Sequence, residues 1–291
     1  MFCDAHCHPF DLLDFINENE LETMLNGITC VTSSWDLEQF EYSERLAART
    51  AAAETARVIP GYAIHPQLPL FVSGDFKKPP EERQRDYDIH GTLLPLLEKL
   101  AAEKRLGAVG ETGFDLFDAQ YKLTEKIQDE IFAFHLETAL KYDLPMVLHV
   151  RKAMHKVFEN LKVLRKVCSV IFHSWRGTLI EGESLLRHGV NVYFSFGAAI
   201  INNHKQAQRC CAVFPADRLL LETDAPYLPP QGKKFSTWAD LPVICQRAAD
   251  LRKAAGSPCC CFEDVEMQCE SNFLKAFNID FYHEPHEPHE K

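Results

Sequence analysis

The sequence predicts an α/β fold, a single-domain (β/α)8 TIM barrel, and three observations lead there. Short apolar runs rich in β-branched and aromatic residues alternate with segments of helical period. There are eight such runs. The unusual polar side chains fall at their C-terminal ends, where a barrel of this kind carries its chemistry.

The runs lie at residues 1–7, 28–33, 58–64, 107–110, 146–150, 170–173, 191–196 and 219–222. Strand–helix alternation implies parallel strands joined by crossover helices, and runs that are apolar on both faces imply strands covered on both sides. Between residues 121 and 142, Leu123, Ile127, Ile131 and Phe134 step along one predicted helix face, and Pro145 ends that helix before the next strand. Met154, Phe158, Leu161 and Leu164 repeat the pattern, and Gly189 is placed to stop the helix that carries Leu185 and Leu186. Residues 65–90 hold Pro66, Pro69, Pro79 and Pro80 among charges and read as a loop or irregular excursion. An open doubly wound sheet is the alternative, but no GxGxxG follows the first run. A length of 291 residues suits one barrel, expected over 1–282. The closing "HEPHEPHEK", 283–291, is a short biased segment expected to be disordered.

Composition narrows the function. With 46% apolar and 25% charged residues the chain has a large core under a solvated surface. No stretch approaches the ~20 apolar residues of a membrane span, and the N-terminus lacks the pattern of an export signal. Eleven cysteines without a CxxC pair read as reduced thiols, hence a cytoplasmic protein. The triplet Cys259, Cys260 and Cys261 cannot converge on one ion and is read as structural. A net charge of −11 argues against a protein that coats nucleic acid electrostatically. It leaves room for an enzyme that meets phosphate through divalent cations, which reverse the local sign.

The chain opens on "FCDAHCHP", which places His6 and His8 on one side of a strand and Cys7 on the other. Five more candidates follow at strand ends: His65, Glu111, His149, His173 and Asp224. One strand-end histidine is ordinarily a hydrogen-bonded rim residue, and one carboxylate ordinarily caps a helix. Seven together would crowd unpaired polar groups into one rim, a costly arrangement that cations resolve. Mixed imidazole and carboxylate donors suit Mg, Mn or Zn. The ligand count implies two ions, one taking His6, His8, Glu111 and Asp224, the other Glu111, His149 and His173, with Glu111 bridging. Ions ~3.5–4 Å apart would acidify a shared water, and Asp224 beside it would accept its proton.

The ordered motifs "DAHCHP", "GYAIHP", "GETGFD", "LHVR", "FHSWRG" and "ETDAPYLPP", with the closing "ESNFLKAF", resemble the TatD family of metal-dependent deoxyribonucleases within the amidohydrolase superfamily. The resemblance covers most of the chain. It implies a TIM barrel, a metal centre of His6, His8, Glu111, His149, His173 and Asp224, and hydrolysis of DNA phosphodiesters as single strands or from a 3′ end. The chain departs from the family's pattern at Phe114, Asp115, Leu116 and Phe117, at Ser174, Trp175, Arg176 and Gly177, and in "QGKKFSTWADLP" after the last strand.

Around that centre, His65 would contact phosphate or the leaving group, or serve as a hydrogen-bond support. Arg151 would stabilise developing phosphoryl charge or pair with Asp115, itself a candidate at the substrate side. Trp175 would stack on a base or pack beneath a loop. Lys152 is the one cation of the following basic helix near the mouth. Three classes of function follow: a two-metal nuclease, the same centre acting on an amide, lactone or aminoacyl ester, and a non-catalytic metal-binding barrel. The intact Glu111 and Asp224 favour the first two.

Overall fold

The computed structural model describes residues 2–72 and 88–279. The expected tail 283–291 and the stretch around Pro79 and Pro80 lie outside these residues.

Among the described residues nine short strands pair in parallel. They are β1 (Phe2–Cys7), β2 (Ile28–Thr32), β3 (Arg57–Ile59), β4 (Gly61–Tyr62), β5 (Ala108–Asp115), β6 (Met146–Arg151), β7 (Val170–Phe172), β8 (Val192–Phe196) and β9 (Leu219–Leu221). Their ladders form two arcs, β1-β2-β3 and β4 through β9 in order. The third expected run is thus broken in two. Pro60 stands at the break, and with no N–H it cannot hold its place in the ladder. The two arcs meet at both seams through the backbone beyond the strand ends. Asp224 N–H donates to His6 O at 3.0 Å and His8 N–H to Ala225 O at 2.7 Å. At the other seam Ala63 N–H donates to Ser34 O at 3.1 Å.

The lower interior is filled by Cys3, Ala5, Val31, Ala108, Val147, Ile171, Tyr193 and Leu220, one or two side chains from almost every strand. Phe273, Ala276 and Phe277, from the end of the final helix (Phe262–Ala276) and just past it, close the bottom of this layer. Apolar contact seals that end, so function is confined to the opposite rim.

Two irregularities set what reaches that rim. The register of β1 shifts between Asp4 and Cys7, and that of β5 between Gly110 and Thr112. Ala5 and Ala108 belong to the lower interior, whereas His6 and Glu111, which fall within the two irregular stretches, reach the rim. An extra residue in a strand re-aims every side chain beyond it. Gly113 permits the tight course of β5 here. Its φ of +130° and the His149 carbonyl lying against it leave no room for a β-carbon.

The helices differ in detail from the expected periodicity. The long helix begins at Glu125 and ends at Tyr142, and it buries Gln128, Ile131, Phe132, His135, Leu136 and Ala139. Leu123 precedes it and is exposed. The next segment splits at Asn160 into Met154–Glu159 and Leu161–Leu164. Gly189, at φ +75°, follows the helix Leu179–Arg187 as expected. Pro69 lies within a short helix, Leu68–Val72, so the expected excursion begins as ordered backbone. Cys261 has a definite structural role: its thiol accepts the Asp264 N–H at the start of the final helix.

Candidate metal centre

The rim is organised around Glu111, which is 4% exposed at the level of the β5 shift, with its N–H donated to Ser33 Oγ at 3.2 Å. Its Oε1 lies 2.7 Å from His149 Nδ1, 3.0 Å from His173 Nε2 and 3.2 Å from His65 Nε2. Its Oε2 lies 3.1 Å from His6 Nε2 and 3.7 Å from His8 Nε2. Asp224 closes the ring, with Oδ1 3.4 Å from His8 Nε2 and 3.7 Å from His6 Nε2. The turn that carries it is left-handed, φ +55°, a conformation aspartate tolerates better than most residues.

Five imidazoles and two carboxylates therefore converge within a few ångströms. The pair His6 Nε2 and His8 Nε2, 3.0 Å apart, can share only one proton between them. One Glu111 oxygen faces three ring nitrogens at once. Such donors crowd together without enough protons to satisfy one another, and this is the arrangement divalent cations complete. The residues fit a metal centre. Their ligand atoms fall into three groups: His6, His173 and Asp224; His6, His8 and Glu111; His65, Glu111 and His149. These groups cut across the expected partition without deciding between the two. His65, expected as a substrate contact or a hydrogen-bond support, is brought to the cluster because the chain beyond β4 turns its Nε2 onto Glu111. His173 stands nearer His6 and Asp224 than a simple pairing with His149 suggests.

Charge is distributed accordingly. Burial alone would raise the Glu111 carboxyl, but His173, His65 and His6 hold it well below the usual carboxylate range. Asp224 is likewise held low against burial by His8, His173 and His6. Burial works to lower His173, yet Glu111 and Glu222 lift it well above an ordinary imidazole. His6 and His65 are depressed, chiefly by burial.

Behind these groups stand carboxylates that orient the imidazoles. Asp115 is fully buried, 3.1 Å from His149 Nε2, and accepts from Gln67 Nε2 at 2.7 Å. Burial would raise it, but His149 and Gln67 bring it down to about 2. The structure thus places it behind His149, at the foot of Arg151, and not on the open face of the cleft where it was expected. Glu222, also fully buried, lies 3.5 Å from His173 Nδ1 and accepts the Ser174 N–H at 2.6 Å. Asp4 takes the Thr223 N–H at 2.9 Å and the His6 N–H at 3.2 Å. Sequence reading missed Asp4 and Glu222. Both were visible as acids inside apolar runs, the surest sign of a partnered carboxylate.

Above the ligands opens a cleft of about 1170 Å³. Arg151 lines it, stacked over Phe117 at 4.2 Å with Nη1 3.6 Å from Asp115. Lys152 lines it too. Trp175 is 2% exposed, packed edge-on against Phe172 and Phe194. Its ring faces the core, so no base-stacking role is assigned to it.

Parallel strands arranged as a TIM barrel, with a buried imidazole–carboxylate cluster at the C-terminal rim, define the class: a barrel of the kind that carries metal-dependent hydrolysis. The family model described as TatD related DNase matches residues 3–278, and the chain belongs to the TatD family. An uncharacterized metal-dependent hydrolase of Buchnera aphidicola is 26% identical, covering 96% of this chain and 97% of that protein. The 3′-5′ ssDNA/RNA exonuclease TatD of Escherichia coli is 29% identical over 53% of this chain and 61% of its own length. The crystal structure of the TatD homologue YjjV from E. coli superposes with a TM-score of 0.72 at 23% identity, covering 96% of this chain and 98% of that one. The chain is a hydrolase of this family.

Proposed function

We propose that the protein is a metal-dependent phosphodiesterase that acts on DNA, on single strands or from a 3′ end. Two divalent ions, Mg, Mn or Zn, would be held by His6, His8, His65, Glu111, His149, His173 and Asp224. The observation that carries this reading is the two-sided environment of Glu111: Oε1 faces His65, His149 and His173 while Oε2 faces His6 and His8. A carboxylate so placed suits a bridge. Ions bound there would supply Lewis-acid stabilisation of the phosphoryl oxygens and a water of lowered pKa.

The chain's own residues supply the rest. Asp224 stays ionised against burial and faces the same space, so it is the proton acceptor. Asp115 and Glu222 fix the His149 and His173 rings, and Arg151 offers positive charge at the cleft wall. The E. coli relative named as a ssDNA/RNA exonuclease favours nucleic acid over other esters. A cytoplasmic setting fits eleven free thiols and no helix, among the described residues, long and apolar enough to cross a membrane.

The test is a parallel assay on labelled single-stranded DNA, duplex DNA, RNA and an aminoacyl ester, with and without chelator. Single-stranded DNA should shorten from its 3′ end, stop on chelation and resume with Mg, Mn or Zn. Turnover of the ester alone would refute the nuclease reading, and indifference to chelator would refute the metal. Asp224→Asn should lower kcat by roughly 10²–10⁴-fold while much of the metal remains bound. A well-folded Asp224→Asn protein with full turnover would exclude the proton-acceptor role.

A further inference from the structure

The cleft wall carries charge that the metal centre does not use. Arg151 ends β6 and Arg176 sits in the turn after the neighbouring β7, and both line the cleft. Arg151 is tethered by Phe117 and Asp115. Arg176 has neither an ion pair nor a hydrogen bond among the described residues.

The turn that presents Arg176 is fixed from beneath. Ser174 N–H is held by Glu222 Oε1 at 2.6 Å, and Trp175 N–H donates to Ser195 O at 2.9 Å. The Trp175 indole is wedged into the aromatic core, and a β-carbon at Gly177 would come within 2.6 Å of it. The chain therefore folds tightly over the indole. Trp175 points down, and Arg176 is left facing the cleft. Arg176 is exposed on the cleft, where Arg151 disfavours its charge and Asp224 and Glu222 favour it. An exposed guanidinium with no ion pair among the described residues is free to receive an anion entering the cleft.

We propose that Arg176, which lines the cleft together with Arg151, is a specificity residue that receives a second anionic group of the substrate, the phosphate next to the bond being cleaved. Planar guanidinium forks match phosphate oxygens in a two-point contact that a single ammonium cannot reproduce. In a chain of phosphodiesters the second anion is the adjoining phosphate, whereas an isolated ester has none. The proposal rests on the phosphodiesterase reading above.

It is tested with pentathymidylate, which carries several phosphates, against bis(para-nitrophenyl) phosphate, which carries one. In R176A the ratio of kcat/KM for pentathymidylate over that for the small diester should fall about tenfold or more, chiefly through KM, as expected for loss of a charged hydrogen bond. R176K should recover part of the ratio. An unchanged ratio overturns the proposal, whether both rates survive or both collapse. If the wild-type protein hydrolyses neither diester, the phosphodiesterase reading fails and the subsite is judged by binding. Fluorescein-labelled pentathymidylate is then titrated into the purified protein and read by anisotropy. A Kd weakened roughly tenfold by R176A sustains the anion site, and equal Kd values for the two proteins overturn it.

Discussion

At the scale of single residues, Glu111 is the point on which the rim depends, yet its neighbours decide how well it works. His149 touches Glu111 through Nδ1 and Asp115 through Nε2, so its ring is fixed at both ends. Replacing Asp115 by Asn keeps the shape but removes the charge that orients His149. Metal affinity or activity should fall about 10- to 100-fold, the usual effect of losing such a support. Calorimetric titration of the chelated variant with Zn or Mn checks this, and wild-type affinity together with wild-type turnover would remove Asp115 from the account.

At the scale of elements, the helix Glu125–Tyr142 contributes a buried polar clamp. His135 is fully buried, accepts the Ile64 N–H at 3.3 Å through Nε2, and meets Thr112 Oγ1 through Nδ1. Ile64 and Thr112 directly adjoin His65 and Glu111, so one imidazole sets the spacing of two strands that carry ligands. Burial lowers its pKa from 6.5 to about 3. The unfolded chain therefore takes up a proton on His135 below 6.5 that the folded chain refuses. Its contribution to stability is present above pH 6.5 and is lost progressively as pH falls towards 3, a change on the order of a few kcal/mol. The Tm of wild-type protein should drop over this window, and His135→Gln should flatten the drop while lowering Tm at neutral pH. Parallel acid titrations of the two proteins followed by thermal melts decide it; identical slopes would refute the role.

At the scale of the whole molecule, the barrel brings residues from 6 to 224 to one rim, and the folded chain alone assembles the candidate ligand set. An ion that binds this rim and not the unfolded chain must stabilise the fold, by about 4 kcal/mol at a thousandfold excess over Kd. Chelation should lower Tm and abolish hydrolysis together, and readdition of a divalent ion should restore both. A melting temperature unmoved by Zn, Mn and Mg would show that the converging side chains do not hold a cation.

The sequence by itself determined the kinds of side chain at the candidate centre, the strands that carry them and the end of the barrel where they meet. Alternation put His6 and His8 on one side of a strand, and composition marked Glu111 and Asp224 as carboxylates too costly to bury alone. These are local properties, set by covalent geometry and by the solvation of individual groups. Tertiary structure decided the rest. The register shifts in β1 and β5 that turn His6 and Glu111 inward, the recruitment of His65 to Glu111, the burial of Asp115 and Trp175, and the exposure of Arg176 all depend on what packs against each segment. Periodicity along a chain carries no record of the neighbours that arrive from a hundred residues away, and at this rim those neighbours assign the roles.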